Sequence, residues 1–194
     1  DIVDQIDPQY WRDIVGQGKG NSYGVEAILS KEVGRFSGFV SYSLSKTNRT
    51  IETINFGKTY PFRWDRRHSL NSIGYYKLSE WSKISFSFTL MSGSAVTVPT
   101  SAYYNIDNTL VLNYSEKNNF RLPVYHRIDF SFTKLSRRST EDLKRYWGIN
   151  IYNVFMRKNV MYIRVEKEDR TTTFKVKGIS LFPFVPSLFY KIEF

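Results

Sequence analysis

The strongest constraint on the fold is the alternation of side chains in residues 187–194. Successive side chains of a β-strand point to opposite faces, so an alternating segment predicts a strand with two unlike faces. The apolar positions are Leu188, Tyr190, Ile192 and Phe194. The other face carries Ser187, Lys191 and Glu193, with Phe189 as an apolar exception. A strand with one apolar face and one wet face is typical of the wall of an outer-membrane β-barrel.

The same two-residue period recurs in six segments further upstream. Together with the last segment they predict an all-β chain of seven antiparallel strands. Ile73 and Tyr75 blur the third segment because they fall among its polar positions. The six segments are Tyr23–Glu32, Phe36–Lys46, His68–Leu78, Lys83–Met91, Arg127–Leu135 and Tyr146–Phe155.

The connections between these segments alternate in length, as do the short periplasmic turns and long extracellular loops of outer-membrane barrels. The short ones are Val33–Arg35, Ser79–Ser82 and Ser136–Arg145, and the long ones are about Thr47–Arg67, Ser92–His126 and Met156–Pro186. Within the last long connection, Val160–Val165 and Thr171–Lys177 alternate on either side of Glu168-Asp169-Arg170. This pattern predicts a β-hairpin that stands above the barrel.

Composition agrees with a barrel wall and excludes a helical membrane span. The sequence has no run of 18 apolar residues, the length that indicates a transmembrane helix. Aromatic residues make up 17% of the 194 residues, and the net charge of +10 favours an anionic surface such as lipopolysaccharide or a nucleic acid. Trp64, Trp81 and Trp147 are expected at membrane interfaces.

An odd number of strands does not close into one antiparallel barrel, so we expect further strands upstream of Asp1. The alternative is a complete small barrel with a structural or adhesive role. That barrel would recruit an eighth strand from Ile2–Ile14, which alternates poorly, or from the last connection. A soluble β-sandwich would also alternate, but the regular alternation of short and long connections argues against it.

Six stretches resemble the C-terminal part of the barrel of TonB-dependent outer-membrane receptors, especially the Bacteroidota type. They occur in order along nearly the whole chain. They are Gly20–Glu26, Ser41–Lys46, Phe62–His68, Leu122–Asp129, Tyr152–Asn159 and Pro183–Ser187.

This resemblance implies that residues 1–194 are the last third or so of a plugged transmembrane barrel of about 22 strands. It implies a wall-and-loop role in energised uptake of a siderophore, cobalamin, glycan or peptide across the outer membrane of a Gram-negative cell. The implied partners are the upstream strands and N-terminal plug, TonB acting through that plug, outer-membrane lipids with lipopolysaccharide, and the barrel-assembly machinery. A surface lipoprotein is a further candidate partner. The assembly signal of the family matches Tyr190, Ile192 and Phe194.

The densest charged cluster is Arg63-Trp64-Asp65-Arg66-Arg67-His68. Together with His126 it provides the candidate contacts to substrate or lipopolysaccharide at the outer rim, because arginine pairs well with phosphate and carboxylate. The competing interpretation is a network that anchors the loop, in which Asp65 pairs with Arg66 or Arg67. Glu26, Asp129 and Glu193 are expected on the wet face.

We expect no enzymatic activity and no cofactor. His68 and Ser69 are neighbours on a strand and point to opposite faces, so they are a poor catalytic pair. The two histidines also lack enough further ligands at clear spacing for a metal site. The run Ser136–Arg145 is basic with interleaved acids, and no nucleic-acid-binding motif accompanies it, so we expect a solvated turn and no nucleic-acid partner.

Overall fold

The structure of this protein is a computed structural model. It describes residues 16–107, 109–140, 142–167 and 173–194, except the side chain of Lys167. Two predictions lie outside the described residues: an eighth strand from Ile2–Ile14, and the Glu168-Asp169-Arg170 turn.

Seven long strands form one antiparallel sheet, and each pairs with its neighbour in the chain, which confirms the all-β antiparallel prediction. They are β1 (Gly18–Lys31), β2 (Phe36–Ile51), β4 (His68–Ser79), β5 (Ser82–Met91), β10 (Tyr125–Leu135), β11 (Lys144–Tyr152) and β14 (Val185–Glu193). β1 and β14 are the two edges of this sheet. None of the described residues forms a helix that is long and apolar enough to cross a membrane.

The three long connections all leave the same end of the sheet and carry structure of their own. The connection from β2 to β4 holds a short 3-10 turn (Asn55–Gly57) and β3 (Tyr60–Pro61), which pairs with β2. The connection from β5 to β10 holds β6 (Ala95–Val96), β7 (Ser101–Tyr104), β8 (Leu110–Asn113) and β9 (Phe120–Arg121). The connection from β11 to β14 holds the paired strands β12 (Val160–Lys167) and β13 (Phe174–Ser180), which confirms the predicted hairpin.

The register of the ladder assigns each residue to one of the two faces of the sheet. Asp129 lies opposite Ser87, and Ser87 lies opposite Ile73. Phe130 lies opposite both Phe86 and Ile151. We call the side with Asp129 the polar face and the side with Phe130 the apolar face. Ile73 and Tyr75 lie on the polar face, so they are true exceptions to its polarity.

Neither face of the sheet is covered by another part of the described chain. On the apolar face, Val25 is 72% exposed and Leu188 is 80% exposed. Ordinary soluble proteins seldom expose contiguous apolar patches larger than a few hundred Å², so a band of this kind indicates contact with a partner or a lipid phase.

Burial is concentrated in the layer formed by the long connections. Among the described residues, the buried hydrophobic and polar side chains all belong to these connections. They are Tyr60, Asp65, Ala95, Leu122, Asn153 and Asn159. The connections therefore pack into a compact layer at one end of the sheet, where they can hold side chains in fixed positions.

The predicted end of the sixth strand at Phe155 is wrong. β11 ends at Tyr152, and Asn153 has a positive φ of 55°. A left-handed residue turns the chain out of the ladder, and asparagine tolerates that conformation better than most residues. The chain therefore leaves the sheet three residues earlier than its alternation suggests.

Phe189 lies on the polar face because it covers a glycine on the adjacent strand. It is directly opposite Gly148. A Cβ added to Gly148 would lie 2.6 Å from the Phe189 ring and 2.3 Å from the backbone oxygen of Phe132. The aromatic ring thus fills space that the glycine leaves open.

Replacing this glycine should weaken the sheet. We expect Gly148→Ala to lower the free energy of unfolding by about 1–3 kcal/mol, because the new methyl group overlaps backbone atoms. The denaturant midpoint of the folded protein measures this effect. Gly20→Ala is the matched control, since its added Cβ has no neighbour closer than 3.6 Å. Equal midpoints for the two variants would contradict this account of Gly148.

Candidate functional site

Asp65 is the anchor of the layer of long connections. It is only 1% exposed. Its Oδ1 accepts a hydrogen bond of 2.6 Å from the backbone N–H of Thr47, and its Oδ2 accepts one from Arg121. Arg121 also donates to the backbone oxygens of Asp65, at 2.8 Å, and Gly93, at 3.3 Å. This arrangement joins the β2–β4 connection to the β5–β10 connection.

The expected pairing of Asp65 with Arg66 or Arg67 is therefore only partly right. Arg67 lies 4.0 Å from the carboxylate, whereas Arg121, 56 positions away in sequence, makes the close ion pair. Arg66 instead donates to the sulfur of Met91 at 2.7 Å. Sequence proximity favoured the neighbouring arginines, but the fold brings the distant Arg121 next to the Asp65 carboxylate. Because this carboxylate is buried, its charge must be compensated by an ion pair.

The other residues of the predicted rim cluster point in different directions. Arg63 is exposed and lies 5.2 Å from the ring of Trp64, which is exposed as well. His68 lies opposite Leu44 on the apolar face, and its Nδ1 is 2.8 Å from the hydroxyl of Tyr42. The cluster therefore does not form one site: Asp65 is a buried anchor, Arg63 is exposed, and His68 lies on the apolar face.

His126 also lies on the apolar face, opposite Leu90 on β5. Asn159 binds the backbone of His126 and so links it to the last long connection. The His126 N–H donates to Asn159 Oδ1 at 3.1 Å, and Asn159 Nδ2 donates to the backbone oxygen of His126 at 2.9 Å. β5 separates the strands that carry His68 and His126. The two histidines therefore do not form one site.

A second network, centred on Asp129, was not predicted beyond its position on the wet face. Arg127 binds the carboxylate at 3.0 Å and donates at 3.0 Å to the hydroxyls of Tyr125 and Tyr152. Ser87 donates to the same carboxylate at 3.2 Å. The only sequence signal was an arginine two positions before an aspartate, a spacing that places both side chains on one face of a strand.

Asn153 connects this network to the last long connection. Its backbone N–H donates to Asp129 Oδ1 at 2.9 Å. Its buried side-chain amide donates to the backbone oxygens of Arg157, at 2.9 Å, and Pro183. One asparagine therefore holds both ends of the β11–β14 connection against the sheet.

A cleft of about 540 Å³ lies between the three long connections. Its lining combines cationic, aromatic and aliphatic side chains. The cationic and aromatic residues of the lining are Arg49, Tyr60, Phe62, Arg63, Lys117 and Tyr162. Arg63 is the only member of the predicted rim cluster that lines this cleft.

Few other features of the layer suggest chemistry. Within residues 16–107, 109–140, 142–167 and 173–194, no group of three or more His, Cys, Asp or Glu side chains is arranged to hold a metal. On the hairpin, Lys177 lies 2.5 Å from Glu166, and this hydrogen bond lowers the pKa of the Glu166 carboxyl. Both side chains of the pair are exposed to solvent.

The residues predicted as an assembly signal lie at the short-turn end of the sheet. Tyr190 is opposite Trp147, and Ile192 is opposite Arg145, both on the apolar face. Phe194 follows the end of β14 and is almost fully exposed. Their role in barrel assembly stays a prediction.

The Asp65–Arg121 pair should stabilise the layer measurably. We expect Arg121→Gln to lower the free energy of unfolding by about 1–3 kcal/mol, because a buried carboxylate loses its charged donor. The double variant with Asp65→Asn should lose less than the sum of the two single variants. Denaturant unfolding and trypsin cleavage after Arg63, Arg66 and Arg67 measure stability and loop exposure.

Lys58→Gln provides the matched control. Lys58 is 3.8 Å from Glu116 and both side chains are largely exposed, so the loss should stay within about 0–1 kcal/mol. Additive effects of the Asp65 and Arg121 substitutions would show that the two side chains are not coupled.

Comparison of the chain with models of known protein families, with curated proteins and with solved structures found no match.

Proposed function

We propose that this chain is the C-terminal part of the wall and extracellular loops of a TonB-dependent outer-membrane transporter, which takes up a scarce nutrient. The observation that carries this proposal is the sheet with two uncovered and unlike faces. In the proposed setting lipid covers the apolar face, and the polar face surrounds the wet interior and its plug.

The contacts between the resembling stretches support the proposal. Asp65, in the Phe62–His68 stretch, binds Arg121, which directly precedes the Leu122–Asp129 stretch. Asp129, at the end of that stretch, accepts a hydrogen bond from the backbone of Asn153 in the Tyr152–Asn159 stretch. Two of the resembling stretches thus meet at the Asp129–Asn153 hydrogen bond, and the Phe62–His68 stretch is joined to the start of the next one through Arg121.

The edges of the sheet favour a larger barrel over closure by these seven strands. β1 and β14 both run from the long-connection end to the short-turn end, so they would be parallel if they paired directly. Outer-membrane barrels close through antiparallel pairs, and an open edge in hydrocarbon costs several kcal/mol per unsatisfied backbone group. Further strands between the two edges would satisfy those groups.

In this setting the chain contributes structure and recognition, and the plug and TonB supply the energised step. The long connections face the cell exterior, where they capture the nutrient. The short turns and the residues Tyr190, Ile192 and Phe194 lie on the periplasmic side, where the assembly machinery would engage them. No covalent chemistry is assigned to the chain.

Spin labels on neighbouring residues of β2 test which face meets lipid. The chain has no cysteine, so Val40→Cys and Ser41→Cys each introduce a single attachment site into it. In the protein reconstituted into bilayers, we expect the Val40 label to collide mainly with oxygen dissolved in lipid. The Ser41 label should favour a water-soluble nickel complex, because adjacent side chains point to opposite faces. The same preference at both positions would contradict a membrane-embedded sheet.

The mass of the parent protein tests the size of the barrel. An antibody to the Thr47–Arg67 connection should detect, in detergent-extracted outer membranes, a protein several times heavier than the 22.9 kDa of this chain. Uptake by that protein should stop when TonB is deleted. A parent of the same mass as the chain would favour the small self-closed barrel with a structural or adhesive role.

A further inference from the structure

We propose that the cleft between the three long connections binds a planar organic anion, in which a carboxylate, sulfonate or phosphate is attached to an aromatic or flat apolar group. This assignment rests on the proposed function only for the side of the membrane that the cleft faces, which in that function is the cell exterior. The chemistry of the lining carries the ligand class.

The cleft is lined by positive charge with no acidic counterpart. Arg49, Arg63 and Lys117 line the cleft, and no acidic side chain does. Across the part of the chain that the structure describes, none of these three cations forms an ion pair, although Lys58 nearby pairs with Glu116. Three like charges around one cleft repel each other, and a bound anion would relieve that repulsion.

Arg49 is held against an aromatic ring. Its guanidinium carbon lies 3.6 Å from the centroid of the Phe62 ring, so the cation is stacked on the aromatic face. Stacking restrains the planar group while its N–H bonds point outward in the plane. A guanidinium held this way is suited to paired hydrogen bonds with a carboxylate or phosphate.

Hydrogen bonds anchor the Lys117–Asn118 segment of the lining to the β2–β4 connection. Asn55 accepts a hydrogen bond of 2.6 Å from the N–H of Lys117 and donates one of 3.2 Å to its backbone oxygen. Asn118 donates at 2.7 Å to the backbone oxygen of Pro61. The wall that presents the Lys117 ammonium is therefore fixed to the β2–β4 connection, which lowers the entropy cost of binding.

The aromatic side chains define the rest of the ligand. Tyr60, which is buried, lines the cleft together with Phe62 and Tyr162. Aromatic walls favour flat, apolar groups, which stack against them and leave water. A small inorganic anion would satisfy the cations but leave these surfaces wet, so the lining as a whole fits an aromatic anion better.

Calorimetric titration of the full-length protein in detergent tests this inference with a matched pair of probes. 1-Naphthoate carries the charge, and 1-naphthamide has nearly the same shape without it. We expect 1-naphthoate to bind at least ~10-fold more tightly, with an affinity that falls as salt concentration rises. Equal affinities for the two probes would overturn the assignment.

Substitutions then locate the binding site. Arg49→Gln and Lys117→Gln should each weaken 1-naphthoate binding by about 10-fold, which corresponds to about 1.4 kcal/mol, while 1-naphthamide binding changes little. Lys158→Gln is the control, because it removes one positive charge from an exposed position on the same side that does not line the cleft. Unchanged binding in both cleft variants would place the anion elsewhere and refute the inference.

This experiment separates the cleft from the transport proposal. Binding of 1-naphthoate to purified protein needs no energy source, whereas nutrient uptake depends on TonB. Charge-dependent binding that requires Arg49 and Lys117 supports the cleft whether or not uptake occurs. Absence of binding to a protein that retains its normal denaturant midpoint refutes the cleft and leaves the test of transport intact.

Discussion

The backbone ladder of the seven long strands is the constraint on which the rest of the structure depends. Each strand pairs with its sequence neighbour in a register that keeps most polar residues on one face and most apolar residues on the other. A shift of one residue would exchange the two faces of a strand. The ladder also brings all three long connections to one end, where they can pack together.

Stability and recognition are divided between two regions of the molecule. The sheet buries little of its own side-chain surface in the described chain, so its faces depend on what surrounds them. The connection layer buries polar anchors instead, chiefly Asp65 and Asn153. Those anchors satisfy charge and backbone groups across distant segments. Neither Arg49, at the end of β2, nor Lys117 is needed for an ion pair among the described residues.

Much of the fold could be predicted because strand alternation is a local property. The seven strands and the hairpin of the last connection follow from residues a few positions apart. The end of β11 could not be placed in the same way, since Val154 and Phe155 continue an apolar pattern after Asn153 has turned the chain. The short strands β6 and β9 were also missed, because a pairing of two residues leaves almost no periodic signal.

The sequence by itself determined that the chain is an antiparallel all-β protein with unlike faces and connections of alternating length, because these features depend on neighbouring residues. Only the tertiary structure decided that Asp65 pairs with Arg121 and that Arg63 meets Arg49 and Lys117 around one cleft. Those residues are separated by many positions. Their encounter depends on how three connections pack, and on the need of a buried carboxylate for a charged partner.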